Sequence, residues 1–371
     1  MSKQSGRFEV LDAFRGLCAI FVVVFHMHLV DSVTELEFFR ASSIFVEFFF
    51  VLSGFVLVHG YAFKINLKFV PYITARFFRL YPLHLFMFIV IALLEFGKWL
   101  AYKHGGFIFN NLPFTGATSP NQVIPNLLLL QSWIPGANHL SYNFPSWSIS
   151  VEFYMYIILF LTIIGFANVK GIIWGVISAI ALFLITINSD AVESVILRGL
   201  SCFFSGSLTY LIYKRLSNLK IPYILGSVIE AILLFGVVLV VQSSIEHKSL
   251  IVTVLFCFVV LFFSYESGLF SYVMKKNIFQ TCGKLSYSIY MIHSAFLFCL
   301  ISFFMILQKV THIEMAPMID GIRYLTFGNG FLNTMVVVLI LSAVIYTSSL
   351  TYKYIELNGQ KLGKVIGNKA S

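Results

Sequence analysis

Ten windows of about 20 apolar residues recur along this 371-residue chain, at 13–30, 43–61, 83–101, 148–166, 171–188, 195–213, 224–242, 249–265, 286–307 and 331–352. A helix of that length crosses the roughly 30 Å hydrocarbon core of a bilayer. Inside that core every backbone N–H and C=O needs a partner within the protein, which a helix supplies from its own backbone. Composition agrees. Hydrophobic residues make up 59% of the chain and charged residues 11%, against about 25% charged in soluble domains. The expectation is an all-α integral membrane protein of about ten transmembrane helices. The first window is not read as a cleaved leader, because no small-residue cleavage site follows it and nine further windows do.

Basic residues set the expected orientation. With an even number of spans, 18 of the 25 Lys and Arg, beginning with Lys3 and Arg7, fall on one side. The other seven, Arg40, Lys98, Lys103, Arg198, Lys248, Lys309 and Arg323, fall opposite. This asymmetry places both termini in the cytoplasm. The net charge of +9 then reflects topology and attraction to anionic lipid headgroups rather than nucleic-acid binding. Five scattered cysteines without a CxxC pair indicate neither a disulfide framework nor a metal site. Residues 1–371 read as a single transmembrane domain with no fused periplasmic domain. Within the long 102–147 connection, "VIPNLLLLQSWIP" reads as a re-entrant or interfacial piece.

Ionisable side chains inside spans are costly and point to function. Arg15 and His26 in "FRGLCAIFVVVFH" are eleven residues apart, about 20° past three full turns, so they share a helix face with roughly 16 Å between them along the axis. Asp12 lies near that face and is positioned to pair with Arg15, whereas His28 points elsewhere. Glu47 and Gly54 share a face in "FVEFFFVLSGF", as do Ser148, Glu152 and Tyr156 in "FPSWSISVEFYMY" and Ser286, Tyr290 and His293 in "KLSYSIYMIH". With no evident partners for Glu47, Glu152 and His293, a wet cavity is expected around them. Arg76 and Arg79 in "RFFRLYP" read as the cytoplasmic start of the third span. There, planar guanidinium forks and a helix N-terminus both suit phosphate, although anchoring to lipid headgroups would place arginines at the same spot.

These motifs resemble the membrane acyltransferase-3 family of bacteria, whose members O-acylate surface polysaccharides, lipopolysaccharide O-antigen and related acceptors. Arg15 and His26 match the family's Arg-x10-His, and Glu47 stands where the family often has Asp, followed by Ser53 and Gly54. Arg76 and Arg79 match its Arg-x-x-Arg, and Trp147, Ser148 and Glu152 its Trp-Ser-Leu-x-Val-Glu. Ser286, Tyr290 and His293 match its Ser-Tyr-x-x-Tyr-x-x-His. Near the C-terminus, "YKYIELNGQ" keeps Tyr354 and Glu356 but has Leu-Asn where many members have Arg-Pro or Lys-Pro, which leaves the role of Glu356 open.

The resemblance implies a bacterial inner-membrane enzyme with no permanently bound cofactor. Acyl-coenzyme A, chiefly acetyl-CoA, would be its cytoplasmic donor, and a carbohydrate hydroxyl, lipid-linked or not, its acceptor. Arg76 and Arg79 would bind the donor phosphates, with Arg15 nearby. His26 would act either as general base or by carrying the acyl group itself, and Glu152 would orient an acceptor or a partner residue. The alternative is a proton-coupled transporter or flippase of a polysaccharide precursor, using His26, Glu47 and Glu152 as a relay.

Overall fold

The computed structural model describes residues 7–106 and 109–369; Lys3 lies outside them. The chain is predominantly helical, and each of the ten apolar windows lies on a helix. These are α1 (Glu9–His26), α2 (Phe45–Tyr61), α3 (Phe69–Gly105), α4 (Ser146–Gly165) and α5 (Lys170–Thr186). They continue as α6 (Ser194–Arg215), α7 (Tyr223–Gln242), α8 (Lys248–Phe263), α9 (Asn277–Thr311) and α10 (Gly330–Thr351). A π-helical turn, Tyr352–Glu356, joins α10 to α11 (Leu357–Lys369). Among the described residues, strands are confined to an antiparallel pair, Met318–Ile319 with Ile322–Arg323.

By length and apolarity, seven helical segments among the described residues can cross a membrane. They comprise α2, α3, α4, α6, α7, α9 and the stretch Gly330–Gly367. Helices α5 and α8 are apolar but shorter, and α1 carries Glu9, Asp12 and Arg15. The distribution of polarity on α5 is that of a membrane helix. Its exposed face carries Ile172, Val176, Ile180 and Phe183. Its buried face holds Trp174, whose Nε1 donates to Thr162 Oγ1 at 2.9 Å, and Ser178, whose hydroxyl donates to the Ser201 carbonyl at 3.0 Å. A helix that hides its hydroxyl and shows its isoleucines is solvated by hydrocarbon rather than water. The chain is a multi-pass membrane protein.

The helices fall into two compact units. One comprises Met1–Leu67, Ile157–Tyr287 and Asn329–Leu341, the other Lys68–Tyr156, Ser288–Gly328 and Ser342–Ser371. In the first unit, α2 and α6 pack backbone to backbone. A Cβ on Gly54 would collide with the Phe203 carbonyl, and one on Gly206 with the Val51 carbonyl. Small residues at such a crossing let two helices gain dispersion contact where apolar burial drives nothing. Beside this crossing, Arg198 Nε donates to Glu47 Oε1 at 2.8 Å. Glu47 is buried, so an arginine from α6 meets the carboxylate for which the sequence suggested a wet cavity.

In the second unit, α3 runs for 37 residues through Pro82. The helix that carries the third apolar window therefore starts at Phe69 rather than near 83. Pro82 lacks an N–H and would ordinarily end a helix, but membrane helices tolerate proline where neighbours cover the freed groups. That cover is α11, whose Gly359 and Gly363 lie directly on Phe78 and Pro82.

The glycine crossing can be tested with an internal control. Gly54→Ala is expected to destabilise the protein by about 2 kcal/mol or more, because a backbone carbonyl cannot move aside. Gly60→Ala, on the same helix with open space around it, should be neutral or slightly stabilising. Thermal unfolding of the two variants in detergent separates them.

Candidate active site

The motif residues divide between the two units. Arg15, His26, Glu47 and Ser286 belong to the first, and Arg76, Arg79, Ser148, Glu152, Tyr290 and His293 to the second.

In the first unit, α1 meets the first turns of α9 through Gly16 and Gly283, neither of which has room for a Cβ. That close approach brings Arg15 within reach of α9. Its Nε donates to Ser286 Oγ at 2.9 Å and its Nη2 to the Gly283 carbonyl at 3.2 Å. Asp12 pairs with Arg15 at 3.4 Å, as its spacing predicts, and also with Arg7 at 2.7 Å. The guanidinium is thus fixed on two sides and half-buried. His26 is the last residue of α1, also half-buried, with its ring edge-on to Phe25.

Arg40, which the sequence offered only as a topology charge, holds that end of α1. Its Nη2 donates to the carbonyls of Val24 at 2.8 Å and Met27 at 2.7 Å, and its Nε to Thr34 at 2.7 Å. Helix C-termini leave unpaired carbonyls and a partial negative charge, so a guanidinium there is doubly favourable. Arg40 Nη1 lies 2.7 Å from His28 Nδ1, which accepts only when unprotonated. A cavity of about 210 Å3, lined by Phe14, Cys18, Phe21, Phe45, Phe48 and Phe256 among other apolar residues, opens on another face of α1. It lies roughly 120° around the helix from Arg15 and His26.

In the second unit, the stripe read from α4 is held at both ends. Ser148 Oγ donates to Tyr290 Oη at 2.9 Å, and Tyr156 Oη donates to Glu152 Oε1 at 2.5 Å. Tyr72, Arg76 and Arg79 follow at i, i+4 and i+7 along one face of α3. Tyr72 Oη donates to the Tyr156 carbonyl at 2.9 Å, and both Arg79 and Arg76 act electrostatically on the Tyr156 hydroxyl. Both arginines are half-buried, and Arg76 Nε is fully enclosed. This corrects the reading of "RFFR". The pair lies two turns inside α3, so the N-terminal dipole is not available to it, and both charges lie near a buried tyrosine.

The segment read as re-entrant braces the start of α4. After a short helix, Val123–Leu127, Ser132 Oγ donates to the Trp147 carbonyl at 3.1 Å and Trp133 Nε1 to the Ser150 carbonyl at 3.2 Å. Ser150 Oγ returns a bond to the Leu129 carbonyl at 2.6 Å. His293 is buried, with Nδ1 2.7 Å from the Tyr290 carbonyl. Glu356, left open by the sequence, is buried in the π-helical turn and accepts from Ser288 at 3.1 Å and Gln360 at 3.2 Å.

The Arg40 cap predicts a pH dependence. Burial first and the Arg40 charge second hold His28 below its ordinary value of 6.5, with Glu35 opposing them. The folded state therefore binds fewer protons than the unfolded one. Its stability is full above pH 6.5 and is lost as pH falls through the lowered value. Thermal unfolding against pH should show this loss in the native protein and not in His28→Gln. Arg40→Gln should cost about 2 kcal/mol at neutral pH.

The family model of an acyltransferase domain matches residues 8–353. An acyltransferase designated MdmB, from Streptomyces mycarofaciens, is 35% identical over 116 residues, which are 31% of this chain and 27% of the relative. Protein 2 in the picA locus of Rhizobium radiobacter is 39% identical over 92 residues, 23% of this chain and 44% of that protein. The matched regions thus span less than half the length of either relative. No solved structure matches the chain significantly. The family match runs from the residue before α1 into the π-helical turn after α10 and covers the motifs from Arg15 to His293, stopping short of Tyr354 and Glu356, and the chain belongs to the acyltransferase-3 family of membrane acyltransferase enzymes.

Proposed function

We propose that this protein transfers an acyl group, acetyl foremost, from cytoplasmic acyl-coenzyme A to a hydroxyl of a cell-surface carbohydrate such as lipopolysaccharide O-antigen or exopolysaccharide. In this reading it sits in the bacterial inner membrane as one functional domain of ten spans, with both ends in the cytoplasm. The observation that supports it most is the position of Arg76 and Arg79. Arginines that merely anchor a span belong at its headgroup end, whereas these two are drawn into the protein beside Tyr156. Planar guanidinium pairs suit the phosphates of a nucleotide-bearing donor. A proton relay through His26, Glu47 and Glu152 in a transporter or flippase of a polysaccharide precursor does not by itself call for them.

The residues support the chemistry in named roles. In the direct route, His26 removes the proton of the acceptor hydroxyl as that oxygen attacks the thioester carbonyl. The C–S bond then breaks, and the leaving thiolate takes the proton back from the imidazolium. In the two-step route, the His26 imidazole attacks the thioester, releases coenzyme A and passes the acyl group to the hydroxyl. Arg15, fixed by Ser286 and the Gly283 carbonyl, lies roughly 16 Å along α1 from His26 and supplies positive charge for the phosphate end of the donor rather than for the reacting carbonyl. Either route gives one ester and one free thiol.

Two measurements test this. His26→Ala should abolish acylation while the protein accumulates normally in the membrane. Mass spectrometry of surface glycans should show loss of an acyl mass with the polymer intact; a missing polymer would favour transport or assembly instead. Arg76→Lys keeps the charge but loses the bidentate fork, so the apparent KM for acyl-CoA should rise about tenfold. An unchanged donor KM would return the pair to membrane anchoring.

A further inference from the structure

The buried tyrosine on α4 belongs to no motif role assigned above, and its contacts link the carboxylate that the family resemblance gave to an acceptor or partner residue with the arginine pair that it gave to the donor. Tyr156 is about 1% exposed. Its hydroxyl donates to Glu152 one turn earlier. Its carbonyl is held by Tyr72, which opens the face of α3 that continues into Arg76 and Arg79. The two guanidiniums and the Glu152 carboxylate all act on its hydroxyl.

We infer that Tyr156 is a positioning residue which joins Glu152 to the Arg76–Arg79 pair as one donor-binding unit, so that Glu152 serves the phosphate-bearing donor and not the carbohydrate acceptor. The physical reason is competition for the guanidiniums. The Tyr156 hydroxyl that Glu152 holds is also reached by the two arginines, and a carboxylate there is drawn toward them by the same attraction that draws a phosphate, far more strongly inside a protein than in water. The phenol bond at 2.5 Å holds one carboxylate oxygen in place. Without it, Glu152 relaxes further toward the nearest guanidinium and opposes phosphate binding. Tyr156 thereby sets how much of the positive charge on α3 a donor meets.

This inference rests on the donor reading proposed above, and a binding assay keeps the two distinguishable. The probe is coenzyme A itself, titrated into the purified full-length protein in detergent or nanodiscs. Tyr156→Phe keeps the buried ring and loses only the hydroxyl. It should raise the Kd for coenzyme A about tenfold, as expected for losing a hydrogen bond to a charged group. In a Glu152→Gln background, the same Tyr156→Phe change should alter Kd by less than about twofold, because no carboxylate remains to be held. In acylation assays, the acceptor KM should stay within about twofold for both single variants.

If the unsubstituted protein binds no coenzyme A, the donor reading falls and this inference with it. If it binds and Tyr156→Phe binds equally well, the donor reading stands and this inference is overturned. Additive effects of the two substitutions, or an acceptor KM that moves in place of the donor Kd, would also overturn it. Should Tyr156→Phe fail to accumulate, Tyr72→Phe offers a second route, since it loosens the Tyr156 backbone from the arginine-bearing face. It is expected to weaken coenzyme A binding in the same Glu152-dependent way, and unchanged binding would count against the inference.

Discussion

A polar group stranded in hydrocarbon costs several kcal/mol, and the interior of this protein is organised around avoiding that cost. Buried carboxylates on its long helices each meet a donor. Glu47 meets Arg198, Glu95 meets Lys98, and Glu356 meets Ser288. Glu230 accepts from the backbone N–H groups of Gly268 and Ser271, capping the short helix Leu269–Met274. These are bonds of fold and register. They show why an ionisable residue in a span is only a first hint of chemistry: a carboxylate whose capacity is consumed by a helix cap has little left for a substrate. Glu152 differs because its partner, Tyr156, is itself tied into the face that carries two cations.

Where apolar burial cannot drive helices together, closeness depends on small residues. Gly54 and Gly206 set one crossing, Gly16 and Gly283 another, and Gly359 and Gly363 a third. Their consequence is chemical as well as mechanical. An arginine reaches only so far from its backbone, and Arg15 touches Ser286 and the Gly283 carbonyl because the adjacent glycines let α1 and α9 come into backbone contact. The glycines beneath α11 likewise cover the stretch of α3 where Pro82 interrupts the hydrogen-bond ladder. The helix bearing Arg76 and Arg79 therefore continues as one rod through a residue that would otherwise end it.

The end of α1 shows how a residue outside every motif can matter to a site. His26 closes the helix, so its direction depends on a terminus that would fray if its carbonyls were unpaired. Arg40 occupies them and uses its remaining N–H groups on His28 and Thr34. The result is a hydrogen-bonded C-terminal end for the helix that carries the candidate base. Its weak point is His28, which can accept from Arg40 only in its neutral form.

What the sequence by itself determined were the features set by local pattern. Apolar length located a helix in each of the ten windows, because such a helix is specified by consecutive residues, and seven helical segments among the described residues are long and apolar enough to cross a membrane. Helical period placed Arg15 with His26, and Ser148 with Glu152 and Tyr156, on shared faces. Spacing alone anticipated the Asp12–Arg15 pair. The motifs that signalled the family were equally local. Tertiary structure alone decided the partners. Arg15 meets Ser286 across 271 positions, and Glu47 meets Arg198 across 151; nothing in either neighbourhood names the other. The sequence also put the arginine pair at a helix N-terminus, whereas the helix begins at Phe69 and runs on through Pro82, covered there by Leu357–Lys369 about 275 residues downstream. The cost of burying a charge requires that a partner exist, but only the packing of distant helices decides which residue it is.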